Sequence, residues 1–230
     1  MDRRVSSTWQ ELEVLASEYR RMRFATISGE LQASLCERLE DLHQRSITVK
    51  AEVVSVGDEE GANALLCAAS LAEAFRCEIL MWMALRQGDA HSAWENLLRA
   101  QDSATVALRA HKNGTGFEED LRRLQVLEHL VFPQQRYTSL GLIVKSSTCS
   151  ICGGEYGECG HVAGRSYMGK VCSRILSDIE IREISIVGDP ANKHARITAI
   201  SGDGVMRDTL TLKPVTSEDA NPAEKIGDGR

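Results

Sequence analysis

A cluster of cysteine and histidine residues near the middle of the chain has the types and spacing for metal chemistry. The spacing is C-x2-C-x6-C-x-H, formed by Cys149, Cys152, Cys159 and His161. Two thiolates separated by two residues can grip one ion, and the glycines after the second thiolate let the turn fold its amides toward the sulfurs. Four such donors suit tetrahedral zinc and leave no position for substrate. The pattern predicts a structural zinc site, with Cys172 as the alternative to His161.

Three other interpretations of the same residues stay open. The cysteines can be free thiols in a glycine-rich loop, or a redox pair, although the flanks lack the βαβ pattern of thioredoxin-like motifs. A catalytic zinc would need a nearby acid or base, for which Glu155 and Glu158 are the neighbours. The remaining cysteines, Cys36, Cys67 and Cys77, lie singly in helical patterns and are predicted to be core residues.

The residues before this cluster form a long helical region. From Ser7 to about Phe132, apolar residues recur at three- and four-residue spacing, and no proline occurs before Pro133. The first helix is predicted to start at Ser7, with Gln10 completing a capping box. Its apolar side is predicted to carry Trp9, Leu12, Leu15 and Tyr19.

Glycine–aspartate pairs divide the rest of this region into helices. Gly57-Asp58 and Gly88-Asp89 each place a helix-ending glycine before a capping aspartate. The predicted helices run from about 28 to 56, 58 to 85, 89 to 111 and 117 to 131, and the Ala- and Leu-rich third helix of the region is expected at the centre. Short turns between long amphipathic helices predict an antiparallel bundle of four or five helices.

The composition changes after Pro133, where Thr, Ser, Ile, Val and Gly become frequent. Strands are predicted at 140–144, 179–187, 195–200 and 209–212. The predicted fold class is α+β, an N-terminal antiparallel helical bundle followed by a small zinc-stapled β-rich domain. The predicted boundaries are 1–132 for the bundle, 133–216 for the β-rich domain and 217–230 for a disordered tail.

Part of the β-rich region resembles a known family. The run from Ile181 to Ile197, IREISIVGDPANKHARI, resembles the signature near the end of phage prohead (capsid-maturation) serine proteases, and TSLGLI at 138–143 is similar to the strand that carries their serine. The resemblance covers roughly 137–200 and implies Ser139 as the nucleophile of a peptidase. The loop from Cys159 to Gly169 is similar to a Cys-Gly-His-x-x-Gly-x-x-Tyr-x-Gly run in phage-associated and prophage-encoded relatives.

The chain departs from that family where the chemistry would lie. The family's histidine comes from a β-rich segment before the serine, whereas the hundred residues before Ser139 are helical here and His129 lies in a helical pattern. The sequence therefore places no general base for the activation of Ser139. The resemblance implies a degenerate or repurposed protease-like C-terminal fold.

The net charge and the hydropathy of the sequence indicate which partners and which location to expect. The net charge of −6 argues against a surface that neutralises phosphates. Four basic residues around the cluster favour nucleic-acid binding, namely Lys145, Arg165, Lys170 and Arg174. Apolar stretches are too short to cross a membrane, and no export signal is present, so a cytoplasmic protein is expected.

Together these features favour a non-enzymatic zinc-binding module for protein interaction or scaffolding, of phage or prophage origin. A protein partner is expected, with a helical face available for docking or for homo-oligomerisation. The alternatives are a serine peptidase that uses Ser139 and a zinc knuckle that binds nucleic acid.

Overall fold

The structure is a computed structural model that describes residues 3–22 and 28–215. Within these residues the chain is mainly helical up to Val131. The α-helices are α1 Arg3–Met22, α2 Gly29–Ser55, α3 Glu59–Arg86, α4 Ala90–Ala110 and α5 Glu118–Val131, and a 3-10 helix Lys112–Phe117 precedes α5. The predicted bundle of antiparallel helices is confirmed.

Three helices begin after a residue whose side chain caps them, and two of these caps, Asp58 and Asp89, are the predicted ones. The side chains of Ser28, Asp58 and Asp89 accept hydrogen bonds from the backbone N–H three residues further on, at 3.4, 2.9 and 3.0 Å. Gly57 and Gly88 both have φ near +78°, a conformation that glycine adopts without strain and that ends the preceding helix. The two glycine–aspartate pairs therefore act as predicted.

The predicted start of the first helix is wrong. α1 begins at Arg3, four residues before Ser7, and the Ser7 hydroxyl donates to the Arg4 carbonyl at 2.9 Å inside the first turns. A serine within a helix commonly bonds a preceding carbonyl in this way, so its presence alone does not fix a cap. The apolar side of α1 was predicted correctly, since Trp9, Leu12, Leu15 and Tyr19 are all buried.

α3 lies at the centre of the bundle and is buried on most sides. Its one fully buried acid, Glu78, binds Arg123 of α5 through two hydrogen bonds, one of them 2.5 Å long. The Tyr19 hydroxyl of α1 also donates to Glu78, and the Trp82 indole N–H donates to it at 3.3 Å. A buried carboxylate is tolerated only when it is paired and hydrogen bonded, so this network fixes α1, α3 and α5 relative to one another.

The rest of the described chain is β-rich. The strands are β1 Tyr137–Cys149, β2 Ser166–Tyr167, β3 Lys170–Val171, β4 Arg174–Val187, β5 Ala199–Gly202 and β6 Val205–Asp208. They form antiparallel pairs β1–β4, β2–β3 and β5–β6. The predicted strand at Thr209–Leu212 is wrong: Asp208 accepts hydrogen bonds from the N–H groups of Leu210 and Thr211, which folds these residues into a turn.

The β-rich region is docked on the helices at two places. Near α4 and α5, Tyr137 and Leu210 share a hydrophobic cluster with Trp94, and Lys193 forms an ion pair with the nearly buried Glu128. At the other end, the β2–β3 turn reaches the start of α3, where the Gly169 N–H donates to the Asn63 side chain at 2.8 Å.

The glycine at the tip of that turn is required by the docking. Gly169 has φ +71°, and a Cβ there would lie 2.8 Å from Cδ of Lys50 and 3.2 Å from the Ala62 carbonyl oxygen. Lys50 donates to the Gly169 carbonyl at 3.3 Å, and Ser166 donates to the Ala110 carbonyl at 2.7 Å. The backbone can approach the helices this closely because residue 169 has no side chain.

The α+β class, with a helical bundle followed by small antiparallel sheets and the Cys/His cluster, is confirmed. The predicted tail 217–230 lies outside the described residues. None of the described helices combines the length and the hydropathy needed to cross a lipid bilayer.

Candidate metal centre

The first half of the cluster is a tight turn at the end of β1. The Gly153 N–H donates to the Cys149 carbonyl and the Cys149 N–H donates to the Gly154 carbonyl, both at 2.8 Å. Gly153 has φ +73°, which closes the turn. The Ile151 N–H points at the Cys149 sulfur, 3.4 Å away. The turn predicted from C-x2-C-G-G is therefore formed, with a backbone donor aimed at a sulfur.

The four predicted ligands lie together. One ligand atom from each of Cys149, Cys152, Cys159 and His161 can be chosen so that all four are within 4.8 Å of one another. Cys149 is buried, Cys159 and His161 are partly buried, and Cys152 is exposed. Three sulfurs and one imidazole nitrogen at this spacing form a set that can hold a metal ion, and sulfur with nitrogen is the donor set of structural zinc.

The surroundings of Cys149 favour its thiolate form. Burial opposes the thiolate, but hydrogen bonds from the Cys152 and Ile151 backbone N–H groups, and then from the Cys172 and Cys159 thiols, outweigh it and lower the pKa of Cys149 to about 6. A thiolate accepts hydrogen bonds more strongly than a thiol, which is the physical reason for the shift. Since the thiolate is the metal-binding form, this local environment favours ligation.

One imidazole nitrogen of His161, Nδ1, is buried and has no hydrogen-bond partner among the described residues. The ring meets Tyr167 edge to face, with centroids 4.7 Å apart. A buried imidazole nitrogen without a partner is costly unless something else satisfies it, and a bound cation does so. The buried, unpartnered nitrogen therefore agrees with His161 as a metal ligand.

The glycines and tyrosine of the 159–169 loop have structural roles. The Tyr167 hydroxyl accepts from the Val162 N–H at 3.0 Å. Gly164, with φ +87°, donates to the Cys172 carbonyl at 2.8 Å. Gly169 is the docked turn residue described above. The loop therefore holds His161 beside the cysteines and connects the cluster to the helices.

Cys172 is close to the cluster, as the alternative prediction requires. It is buried, and its sulfur lies 3.8 Å from that of Cys149. Two sulfurs bound at about 2.3 Å to one tetrahedral ion would lie about 3.8 Å apart. Burial and the neighbouring Cys149 raise the pKa of Cys172. The group of four within 4.8 Å contains His161 and not Cys172. Both candidates for the fourth ligand therefore lie near the other cysteines, at different positions.

Three cysteines lie elsewhere. Cys36, Cys67 and Cys77 are buried in the helical bundle. Burial raises their pKa values to about 11, about 12 and about 12, with nearby Glu73 adding to the effect at Cys77. These thiols stay protonated, and the three cysteines are core residues, as predicted.

Ser139 lies in β1 opposite Ser185 of β4. Among the described hydrogen bonds, none joins its hydroxyl to a histidine or a carboxylate. His129 is on α5, and His194 bonds Asp102 of α4 at 3.0 Å. The two segments of the family resemblance are nonetheless strand partners, since residues 138–143 pair with 180–186.

Three of the four basic residues near the cluster each have a described neighbour of their own. Lys145 pairs with Asp178 at 3.8 Å. Arg174 lies over the Tyr156 ring and donates to the Ser147 hydroxyl at 2.8 Å. Lys170 lies close enough to Lys50 to lower the pKa of that amine, after the larger effect of burial.

Sequence reasoning missed the residues that support the cluster. Tyr156 was not singled out, yet its hydroxyl accepts from the Ala163 N–H at 3.1 Å. Lys50 of α2 and Asn63 of α3, which hydrogen bond to Gly169, lie more than a hundred residues away from it in the chain. Nothing local in the sequence marks such long-range contacts.

Comparisons of the chain with protein-family models, with curated proteins and with solved structures gave no match. The resemblance to prohead proteases therefore stays a prediction from the residues quoted for it.

Proposed function

We propose that this protein is a non-enzymatic, zinc-stabilised module for protein interaction. The observation that carries the proposal is the group of three sulfurs and one imidazole nitrogen within 4.8 Å. A set of four protein donors fills the tetrahedral positions of zinc and leaves none for water or substrate. A metal held in this way supports structure instead of catalysis.

The position of the cluster supports a structural role. It joins the end of β1 to the loop that carries His161, and Cys172, shortly before β4, lies beside it. The same loop continues into the turn docked on α2 and α3. The bound metal would thus hold one end of the β1–β4 pair against the helices. Structural zinc contributes folding free energy directly, so this part of the chain should depend on it.

We assign the ligands as Cys149, Cys152, Cys159 and His161, with Cys172 as the alternative fourth ligand. The orphaned Nδ1 of His161 favours this choice. In the Cys3His arrangement the buried Cys172 remains a hydrogen-bond partner of the Cys149 sulfur. Such a neighbour orients a ligand without binding the metal. Thiolate ligands persist in a reducing compartment, so we expect a cytoplasmic location.

We also propose a phage or prophage origin, on the family resemblance alone. We do not extend this proposal to peptidase activity. Ser139 has no hydrogen-bonded base within the described part of the chain, and an unactivated serine hydroxyl is a weak nucleophile. The interaction role is therefore the one that we carry forward.

Metal analysis of the purified full chain tests the proposal. We expect one zinc per chain, lost in Cys149→Ser with Cys152→Ser and retained in the control Cys36→Ala, whose thiol lies in the bundle. A chain without zinc, or a double variant that keeps it, would overturn the assignment. Retention on DNA or RNA that weakens with salt would instead favour the nucleic-acid alternative.

Cobalt substitution distinguishes the two ligand sets. The absorption from thiolate-to-cobalt charge transfer rises with the number of thiolates. We expect Cys172→Ala to leave this absorption and the metal content unchanged, and His161→Ala to weaken metal binding. The reverse result would assign Cys172 as the fourth ligand.

A further inference from the structure

Along residues 140–144 and 179–186, the β1–β4 pair has one face made of aliphatic side chains. In a strand pair, directly opposed residues share a face, and alternate residues along each strand lie on the same side. The register pairs Leu140 with Ile184, Leu142 with Ile181 and Val144 with Ile179. With Ile186, these residues form what we term the aliphatic face: Leu140, Leu142, Val144, Ile179, Ile181, Ile184 and Ile186.

This face is exposed. Ile184 and Ile186 are 67% and 70% exposed, and Ile181 is 56% exposed. No residue from 138 to 146 or from 174 to 186 is buried, so the strand pair touches the rest of the described molecule mainly at its two ends. The exposed parts of the seven side chains amount to on the order of 600 Å² of apolar surface, the upper end of what monomers usually expose.

A β-bulge keeps the face continuous. The last four isoleucines of β4, from Ile179 to Ile186, are spaced two, three and two residues apart, which would place the second pair on the wrong side of a regular strand. The register shifts by one residue between Gly141 and Leu142, opposite Arg182. The extra residue returns Ile184 and Ile186 to the side of Ile179 and Ile181.

The opposite face is polar. Glu180 and Glu183 face away from the isoleucines, and Arg182 forms an ion pair with Glu180 at 3.4 Å. Lys145 and Asp178 continue this row, in which Ile143 is the aliphatic exception between residues 139 and 145. A two-stranded sheet is only marginally stable in water by itself. A ribbon with one polar and one aliphatic face therefore needs a cover on the aliphatic side.

We infer that the aliphatic face is a self-association surface, on which a second copy of this chain packs face to face. The inference rests on the proposed function and names the partner of that interaction module. Two such faces, packed about 10 Å apart and related by a two-fold axis, would form a small β-sandwich of two two-stranded sheets. The axis would pass near the Leu140–Ile184 and Leu142–Ile181 pairs.

Three observations favour a second copy as the cover. The face carries no charge and no buried polar group, so it is complementary to itself and would leave nothing unpaired in an isologous contact. Its area approaches the roughly 800 Å² per partner that a stable interface buries, and the edges of the ribbon can supply the remainder. Residues 216–230 of the same chain cannot supply the cover, because Ile226 is their one large apolar residue.

Sedimentation equilibrium of the zinc-loaded full chain tests the inference. We expect a dimer that Ile184→Lys weakens by at least about 100-fold in its dissociation constant, since a central apolar anchor dominates such interfaces. The matched control is Glu180→Lys, which adds the same side chain to the polar face of the same strand and should leave the dimer unchanged. Zinc content and circular dichroism show whether each variant is folded.

A milder variant guards against misfolding. Ile184→Thr keeps a β-branched residue in the strand and should weaken the dimer by about 10-fold. A zinc-loaded chain that stays monomeric at about 100 µM overturns the inference while the zinc module stands. A dimer that survives Ile184→Lys, or that Glu180→Lys disrupts equally, also overturns it. If the purified chain contains no zinc, the proposed function itself is wrong, whatever the oligomeric state of the chain.

Discussion

The helical bundle and the β-rich region are held together by different means. The bundle buries large apolar side chains on every helix and pairs its one fully buried acid within the core. The long β1–β4 pair has no buried residue along most of its length. The bundle can therefore be stable through packing alone, whereas the β-rich region depends on its anchors, at the cysteine cluster and at the two contacts with the helices.

The cysteines show the same contrast at the scale of single atoms. Burial raises the pKa of Cys67 to about 12, because a buried thiolate loses its hydration. At Cys149, burial acts in the same direction, yet backbone N–H groups and neighbouring thiols lower the pKa to about 6. Burial alone thus keeps a thiol protonated, whereas donors directed at a buried sulfur favour the thiolate, which is the form that binds metals.

Removal of the metal should separate the two regions most clearly. In Cys149→Ser with Cys152→Ser, residues 146–174 should lose protection from hydrogen exchange, while α1 to α5 keep theirs. Structural zinc contributes about 10 kcal/mol or more of apparent binding free energy, most of which appears as folding of the ligand loop. Cys36→Ala serves as the control. Loss of protection throughout α3 would show that the bundle also depends on the metal.

Disruption of the buried ion pair should affect the bundle instead. Arg123→Ala leaves the Glu78 carboxylate without its cation in the core and should cost about 3–5 kcal/mol of unfolding free energy. Thermal unfolding followed by circular dichroism measures this effect, and zinc content should not change. Arg122→Ala, on the neighbouring and more exposed position of α5, is the control. Equal losses in both variants would contradict the assigned role of the pair.

The docked turn links the two regions, so a substitution there should have an intermediate effect. Gly169→Ala forces a side chain into left-handed backbone and against Lys50, and should destabilise the docking by about 2–3 kcal/mol. The matched control is Gly160→Ala in the same loop, where a Cβ meets nothing within 4 Å. Hydrogen exchange at 166–171 reports the change. An unperturbed Gly169→Ala protein would show that the turn does not hold the regions together.

Substitution of Ser139 should have the smallest effect. Ser139→Ala removes a partly exposed hydroxyl that has no described acid or base partner, so stability should change by less than about 0.5 kcal/mol. Intact-mass analysis after prolonged incubation should give the same masses for the variant and the wild type. Self-cleavage that disappears in Ser139→Ala would instead support the peptidase alternative.

The sequence predicts the helices better than it predicts the supports of the metal cluster. The capping aspartates Asp58 and Asp89 and the buried side of α1 follow from local rules, because a helix satisfies its own hydrogen bonds within a few residues. The start of α1 was misplaced since Ser7 can cap a helix or lie inside one. At Thr209–Leu212 the β-branched pattern was overridden by the Asp208 side chain, which stabilises a turn.

Cysteine spacing predicts that Cys149, Cys152 and Cys159 meet, and it leaves the fourth position open between His161 and Cys172. Other features depend on pairing between distant segments. Cys172 lies next to Cys149 because β1 and β4 are antiparallel partners. The aliphatic face was also not predicted, since the bulge opposite Gly141 changes the two-residue period of β4 and becomes visible only from the register.

X-ray absorption at the zinc edge, on the purified full chain, tests the central claim most directly. The structure predicts one zinc per chain with three sulfur neighbours and one nitrogen neighbour, at about 2.3 and about 2.0 Å. The signal should vanish in Cys149→Ser with Cys152→Ser. Absence of zinc, or a first shell dominated by oxygen, would contradict the account.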